Sequence, residues 1–112
     1  MLFGRVASLT RHGKYQDVEV TFQQLEFLNI NHGDRYGNTL LHIASQNGHK
    51  RLCKLFLRKG ADLNVQNNSG LTCLHFAFGS GYNDLGEYLK SKGADDSIVN
   101  CDHLTCYEYK EI

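Results

Sequence analysis

The chain has 112 residues, a formal net charge of zero, and 41% hydrophobic against 21% charged residues. That is enough for one domain with a modest core, and the neutral balance supplies no global pull toward nucleic acid or an anionic membrane. No apolar run approaches the ~18 residues of a membrane span, and the stretch from Met1 to Leu9 holds Arg5 and runs at once into Arg11, His12 and Lys14, which is not the pattern of a signal peptide.

At the N-terminus, Phe3, Val6 and Leu9, followed by Val18, Val20 and Phe22, predict an irregular pair of helices that caps whatever follows. Leu25-Glu26-Phe27-Leu28 then leads into a first turn. A short helix is expected from Thr39 to Gln46, with the Thr39 hydroxyl capping free backbone N–H groups and Gly48 ending the turn behind it. His49 to Arg58 predicts a second helix. Leu52, Leu55 and Phe56 form its apolar stripe at i, i+3 and i+4, and Lys50, Arg51, Lys54 and Arg58 take the opposite face. Gly60 terminates it. Ala61-Asp62-Leu63-Asn64 runs extended into a turn at Asn67-Asn68-Ser69-Gly70.

The pattern then starts again. Residues 34–66 laid over 67–99 match at eleven positions, among them Gly37/Gly70, Thr39/Thr72, His42/His75, Ala44/Ala77, Gly48/Gly81 and Gly60/Gly93. The chain therefore reads as residues 1–33, a degenerate first unit; 34–66 and 67–99, two regular units; and 100–112, a truncated last one. Gly86 sits in the middle of the helix Leu85-Gly86-Glu87-Tyr88-Leu89-Lys90, where glycine costs about 1 kcal/mol against alanine. In the last unit His103 stands where the turn glycine belongs and Glu108 where the histidine belongs, so a frayed or capping end is expected. A helix pair with a protruding turn cannot bury both its faces alone. Such units stack, and the fold class is an all-α solenoid of helix-turn-helix units with projecting turn or hairpin loops.

Thr39-Leu40-Leu41-His42-Ile43-Ala44 and Thr72-Cys73-Leu74-His75-Phe76-Ala77 resemble the T-P-L-H-x-A signature of the ankyrin-repeat family, and Gly60-Ala61-Asp62-Leu63-Asn64 resembles its G-A-D-V-N segment. The likeness covers about residues 30–105. The signature proline is replaced by Leu40, Cys73 and Cys106. The resemblance implies a protein-interaction scaffold without catalysis, with His42 and His75 bonding backbone between neighbouring units. The alternative is a regulatory, autoinhibitory or targeting domain of a larger protein. Two regular units make a marginal stack, which favours association with a second copy or with the rest of a longer parent chain.

Chemistry finds little footing in these residues. Cys53, Cys73, Cys101 and Cys106 contain no CxxC pair and read as reduced thiols in an intracellular protein, cytoplasmic or nuclear. Cys101-x-His103-x-x-Cys106 is the densest ligand cluster but matches no zinc-ribbon or finger spacing, so no metal and no cofactor is expected. No phosphate loop or nucleophile turn is present. The basic run on the second helix reads as a solvated stripe. The counterpart in the next unit holds Asn83, Asp84, Glu87 and Lys90, so the patch does not extend along the stack, which argues against tracking along nucleic acid.

If the chain follows the family, a partner protein docks on the concave side, on turn tips and the outer face of each first helix. Mapped onto this sequence, those positions are Arg35, Tyr36, Asn38 and Gln46, then Asn68, Ser69, Leu71 and Phe78, then Asp102. Tyr36 is a large amphipathic ring at a tip, Leu71 is apolar where the preceding unit has Asn38, and Phe78 stands where that unit has Ser45. Aromatic residues and arginine are the usual anchors of interfaces.

Overall fold

The computed structural model describes residues 2–24 and 29–111. Residues 25–28, expected to lead into the first turn, lie outside the described residues. Among the described residues there are six helices and no strand: α1 (Leu2–Arg11), α2 (Tyr15–Gln24), α3 (Leu40–Gln46), α4 (Lys50–Arg58), α5 (Cys73–Gly79) and α6 (Asn83–Ser91). They form three helix pairs. Helix α3 packs between α1 and α5 in one row, while α4 lies behind α3 and beside α2 in a second row.

Why these stretches are helical follows from their ends. Thr39 and Thr72 have extended backbones, and each hydroxyl accepts the N–H three residues on, from His42 and His75. The histidine rings return the bond, with Nδ1 accepting the threonine N–H at 3.0 and 3.1 Å. The result is a capping box in which histidine takes the place of glutamate. Helix α4 buries Leu52, Cys53, Leu55 and Phe56, adding a thiol to the expected stripe.

The core is one continuous cluster running from Val6 and Val18 through Leu40, Leu52, Phe56 and Leu74 to Leu89 and Cys106. In the first pair Val6, Val18 and Phe22 point inward as expected, but Val20 does not; it faces solvent two residues along α2 from Val18. Gly86 is explained by its neighbour. A Cβ there would lie 2.5–2.7 Å from three ring atoms of Phe78. The same two positions one unit earlier are Ser45 and Cys53, in contact at 3.7 Å. The pair has exchanged bulk between helices, small against medium in one unit and large against nothing in the next.

Two turns stand between the pairs and a third follows α6, all built on one plan. Asp34, Asn67 and Asn100 each accept two backbone N–H groups on Oδ1, from the residues two and four places on, at 2.9–3.0 Å. Backbone bonds close each turn, for example Asn67 N–H to the Leu71 carbonyl and Gly70 N–H to the Asn67 carbonyl. Such side-chain-to-backbone bonding is what makes Asp and Asn turn residues.

Candidate functional site

The turn tips are stacked on one another. Asn68 N–H donates to the Tyr36 carbonyl at 2.9 Å and Cys101 N–H to the Ser69 carbonyl at 3.0 Å. The Asn68 amide reaches the Arg35 carbonyl, and the Asn67 amide reaches Asn38 Oδ1. A second ladder runs beside the helix ends, where Asn31 accepts from Asp62 N–H and Asn64 from Asp95 N–H. The stack of tips is therefore a rigid, polar, backbone-bonded edge.

The two signature histidines fasten each helix pair to the next tip. His42 Nε2 donates to the Leu71 carbonyl and His75 Nε2 to the Leu104 carbonyl, both at 2.9 Å. A carbonyl only accepts, so the proton sits on Nε2 and Nδ1 is left to accept from the threonine cap. Both rings are buried. Desolvation lowers the pKa of both below the ordinary 6.5, which keeps the rings neutral and this bonding pattern intact. Each ring also meets an aromatic edge of the following unit, His42 against Phe76 and His75 against Tyr109.

The last unit keeps part of the plan. Its tip forms, with His103 at φ +63°, where Gly37 and Gly70 have +79° and +78°. A Cβ on Gly37 would lie 3.0 Å from the Asn68 nitrogen, and one on Gly70 would lie 2.8 Å from the Cys101 nitrogen. Glycine is needed at these two places by the tip stacked above as well as by φ. Glu108 takes over half of the histidine's work, accepting from Thr105 N–H and Oγ1 at 2.9 and 3.1 Å. Beyond one turn, at 106–108, no helix follows among the described residues. Instead Glu111 N–H bonds the Gly79 carbonyl, and the Glu111 carboxylate takes the Gln46 amide. The chain thus lies across the ends of α3 and α5.

Among the nine expected contact residues, Arg35, Tyr36, Asn68, Ser69 and Asp102 are exposed, and Tyr36 is 55% accessible with the Arg35 guanidinium 4.9 Å above its ring. Asn38 is half-buried and bonded to Asn67, and Gln46 is half-buried and bonded to Glu111. Leu71 is a correction. It is only 8% accessible, because it is the residue four places after Asn67 whose N–H the Asx turn pulls in and whose carbonyl His42 holds. Phe78 is half-buried, its ring over Gly86 and 5.0 Å from that of Tyr107, and it opens onto a shallow groove with Asn83, Glu87 and Lys110.

Cys53, Cys73 and Cys106 are buried, and desolvation pushes their thiols up to about 12, 12 and 11. They are protonated packing groups; Cys101 alone is exposed. Among the described residues, no three His, Cys, Asp or Glu side chains converge as metal ligands would.

A family model described as ankyrin repeats in three copies matches residues 9–100. The chain belongs to the ankyrin-repeat family. Its three copies reach back to Leu9 and so include most of the first helix pair. An ankyrin repeat protein of Fowlpox virus (strain NVSL) is 44% identical over 41 residues, which is 37% of this chain and 22% of that protein. The chain thus spans well under half the length of this relative. Ankyrin repeats are in general protein-interaction modules, and the family is as a rule non-catalytic.

Proposed function

We propose that this ankyrin-repeat chain is a non-catalytic module that binds a partner protein through its stacked tips, with Tyr36 as the anchor. One observation carries the reading. Tyr36 is a large aromatic side chain exposed at the tip edge, its carbonyl bonded to the Asn68 N–H of the next tip and its ring under the Arg35 guanidinium. A preorganised ring of this kind loses little freedom on binding. Arg35, Asn68, Ser69 and Asp102 supply polar groups around it. Gln46 is already taken by Glu111, so the surface narrows from the whole inner face to the tips.

The test is affinity capture from cells with the wild-type chain and with Arg35→Ala/Tyr36→Ala, alongside thermal unfolding. The double variant unfolds within a few degrees of wild type, because both side chains are exposed. It loses the specific partner. A variant that keeps its fold and captures the same partner equally well removes the tips from the interface.

A further inference from the structure

The cations of α4 are not used by the tip surface. Lys50, Arg51, Lys54 and Arg58 are all exposed on that helix. Among the described residues the ion pairs are Lys90 with Glu87 and Lys90 with Asp96, so no α4 cation stands in a direct ion pair. They turn to aromatic rings instead. The Lys50, Lys54 and Lys92 ammonium groups lie 4.9, 5.3 and 5.7 Å from the centre of the Tyr88 ring. The Arg51 guanidinium lies 3.8 Å over Tyr15, whose hydroxyl accepts from Arg58.

Lys92 is the surprise in this set. It belongs to the next unit, on the position that Lys59 holds in the preceding one. Stacking folds it back toward α4, so two units feed one positive focus. A groove of about 450 Å3 opens there, lined by Lys54, Leu57, Arg58, Tyr88 and Lys92. Of the neighbouring acids, Asp84 is in a separate groove with Lys50, Glu87 is held by Lys90, Asp17 is beside Lys14 and Arg51, and the Glu19 carboxylate accepts from the Tyr15 hydroxyl that Arg58 also reaches. Lone lysines on a helix face are ordinarily just solvated. Three ammonium groups sharing one ring repel each other, and an anion placed among them exchanges that repulsion for attraction.

The spacing selects the ligand. Lys54 and Arg58, the two α4 cations that line the groove, stand four residues apart, so their backbone positions step by about 6 Å along the helix. An extended peptide presents alternate side chains on one face every ~6.7 Å. The α4 cations do not continue onto the matching positions of α6, which carry Asn83, Asp84 and Glu87, so a nucleic-acid backbone finds no track along the stack. We propose that the α4–α6 groove is a second docking site, for an extended acidic segment of a partner protein with Asp or Glu at alternate positions. The carboxylates lie against Lys54, Arg58 and Lys92, and their methylene stems cover Leu57 and Tyr88. This site is separate from the tips and stands whether or not Tyr36 is an anchor.

The experiment is fluorescence anisotropy of a labelled (Glu-Ser)4 peptide at low and physiological salt. Lys54→Gln/Arg58→Gln/Lys92→Gln is compared with wild type and with Tyr36→Ala, each checked by circular dichroism. A peptide of the same composition in blocks, inositol hexakisphosphate and phosphatidylserine vesicles serve as competitors. The expected result is saturable binding that weakens with salt, drops at least tenfold in the triple variant, and is unchanged in Tyr36→Ala. No binding up to millimolar protein overturns the proposal, as does equal binding by the triple variant. Stronger binding of the hexakisphosphate, the vesicles or the block peptide than of the alternating peptide also overturns it, because the face is then a general anion surface.

Discussion

Replacing Gly86 with alanine sets two well-measured effects against each other. In a helix interior alanine is favoured over glycine by about 1 kcal/mol. Here the new Cβ meets the Phe78 ring at 2.5–2.7 Å, and overpacking of this kind costs roughly 1–3 kcal/mol. The sum predicts a change between none and a loss of about 2 kcal/mol, where an open helix site would gain. In a Phe78→Ser background the ring is gone, and Gly86→Ala then gains about 1 kcal/mol. The two sites are therefore coupled by roughly 1–3 kcal/mol, read as a double-mutant cycle from urea unfolding followed by circular dichroism. Phe78→Ser with Gly86→Cys transplants the Ser45/Cys53 pair and recovers most of the stability lost by Phe78→Ser alone. If Gly86→Ala stabilises the wild type by the full propensity gain, or acts equally in both backgrounds, the exchange of bulk across this pair is not what selects glycine.

Further outcomes follow from the caps and the tips. The folded-state pKa of His42 and His75 is lowered, so their contribution is complete above about pH 6.5 and is lost as pH falls from there toward the lowered values, where the unfolded chain takes up protons first; urea midpoints measured from pH 7.5 to 5.5 fall, and a midpoint that rises shows that the folded state holds these rings protonated rather than neutral. The Glu108 carboxyl, lowered by its bond from Thr105 N–H, acts in a separate window below its ordinary 4.5. At the tips, His103→Gly relieves a left-handed backbone and stabilises by roughly 0.5 kcal/mol after the entropy of a freer unfolded chain. Gly37→Ala loses roughly 2 kcal/mol, well beyond Gly60→Ala, which has a similar φ but open space at its Cβ; equal losses at the two glycines show that the stacked tip is not the cause.

The repeat was readable because glycine and threonine recur at 33 residues, and both act locally. Thr39 needs only its own helix to cap, so its role is visible in the sequence alone. The burial of Leu71 is set by the Asn67 side chain four residues back and by the His42 ring of the unit before, and only the first of these is local in sequence. The signal was present in Asp34, Asn67 and Asn100, spaced by 33, each marking the residue four places on as drawn inward. Phe78 and Gly86 lie eight residues apart along the chain but face each other across the helix pair, where together they make one exchange of bulk that neither position shows alone. Lys92 is a similar case, since only stacking brings it to Tyr88.

His103 and Glu108 together give the stack a direction of growth. Each of the two regular units holds two groups addressed to its successor: a glycine that makes room for the next tip, and a histidine that donates to that tip's carbonyl. The last unit has kept what serves itself, a closed turn and a capped threonine, and has replaced both of the outward-facing parts. A further repeat seated in the same register would meet the His103 Cβ and find a carboxylate where a donor is required. Lengthening the array by design therefore begins at the α1–α2 end, or else starts with His103→Gly and Glu108→His.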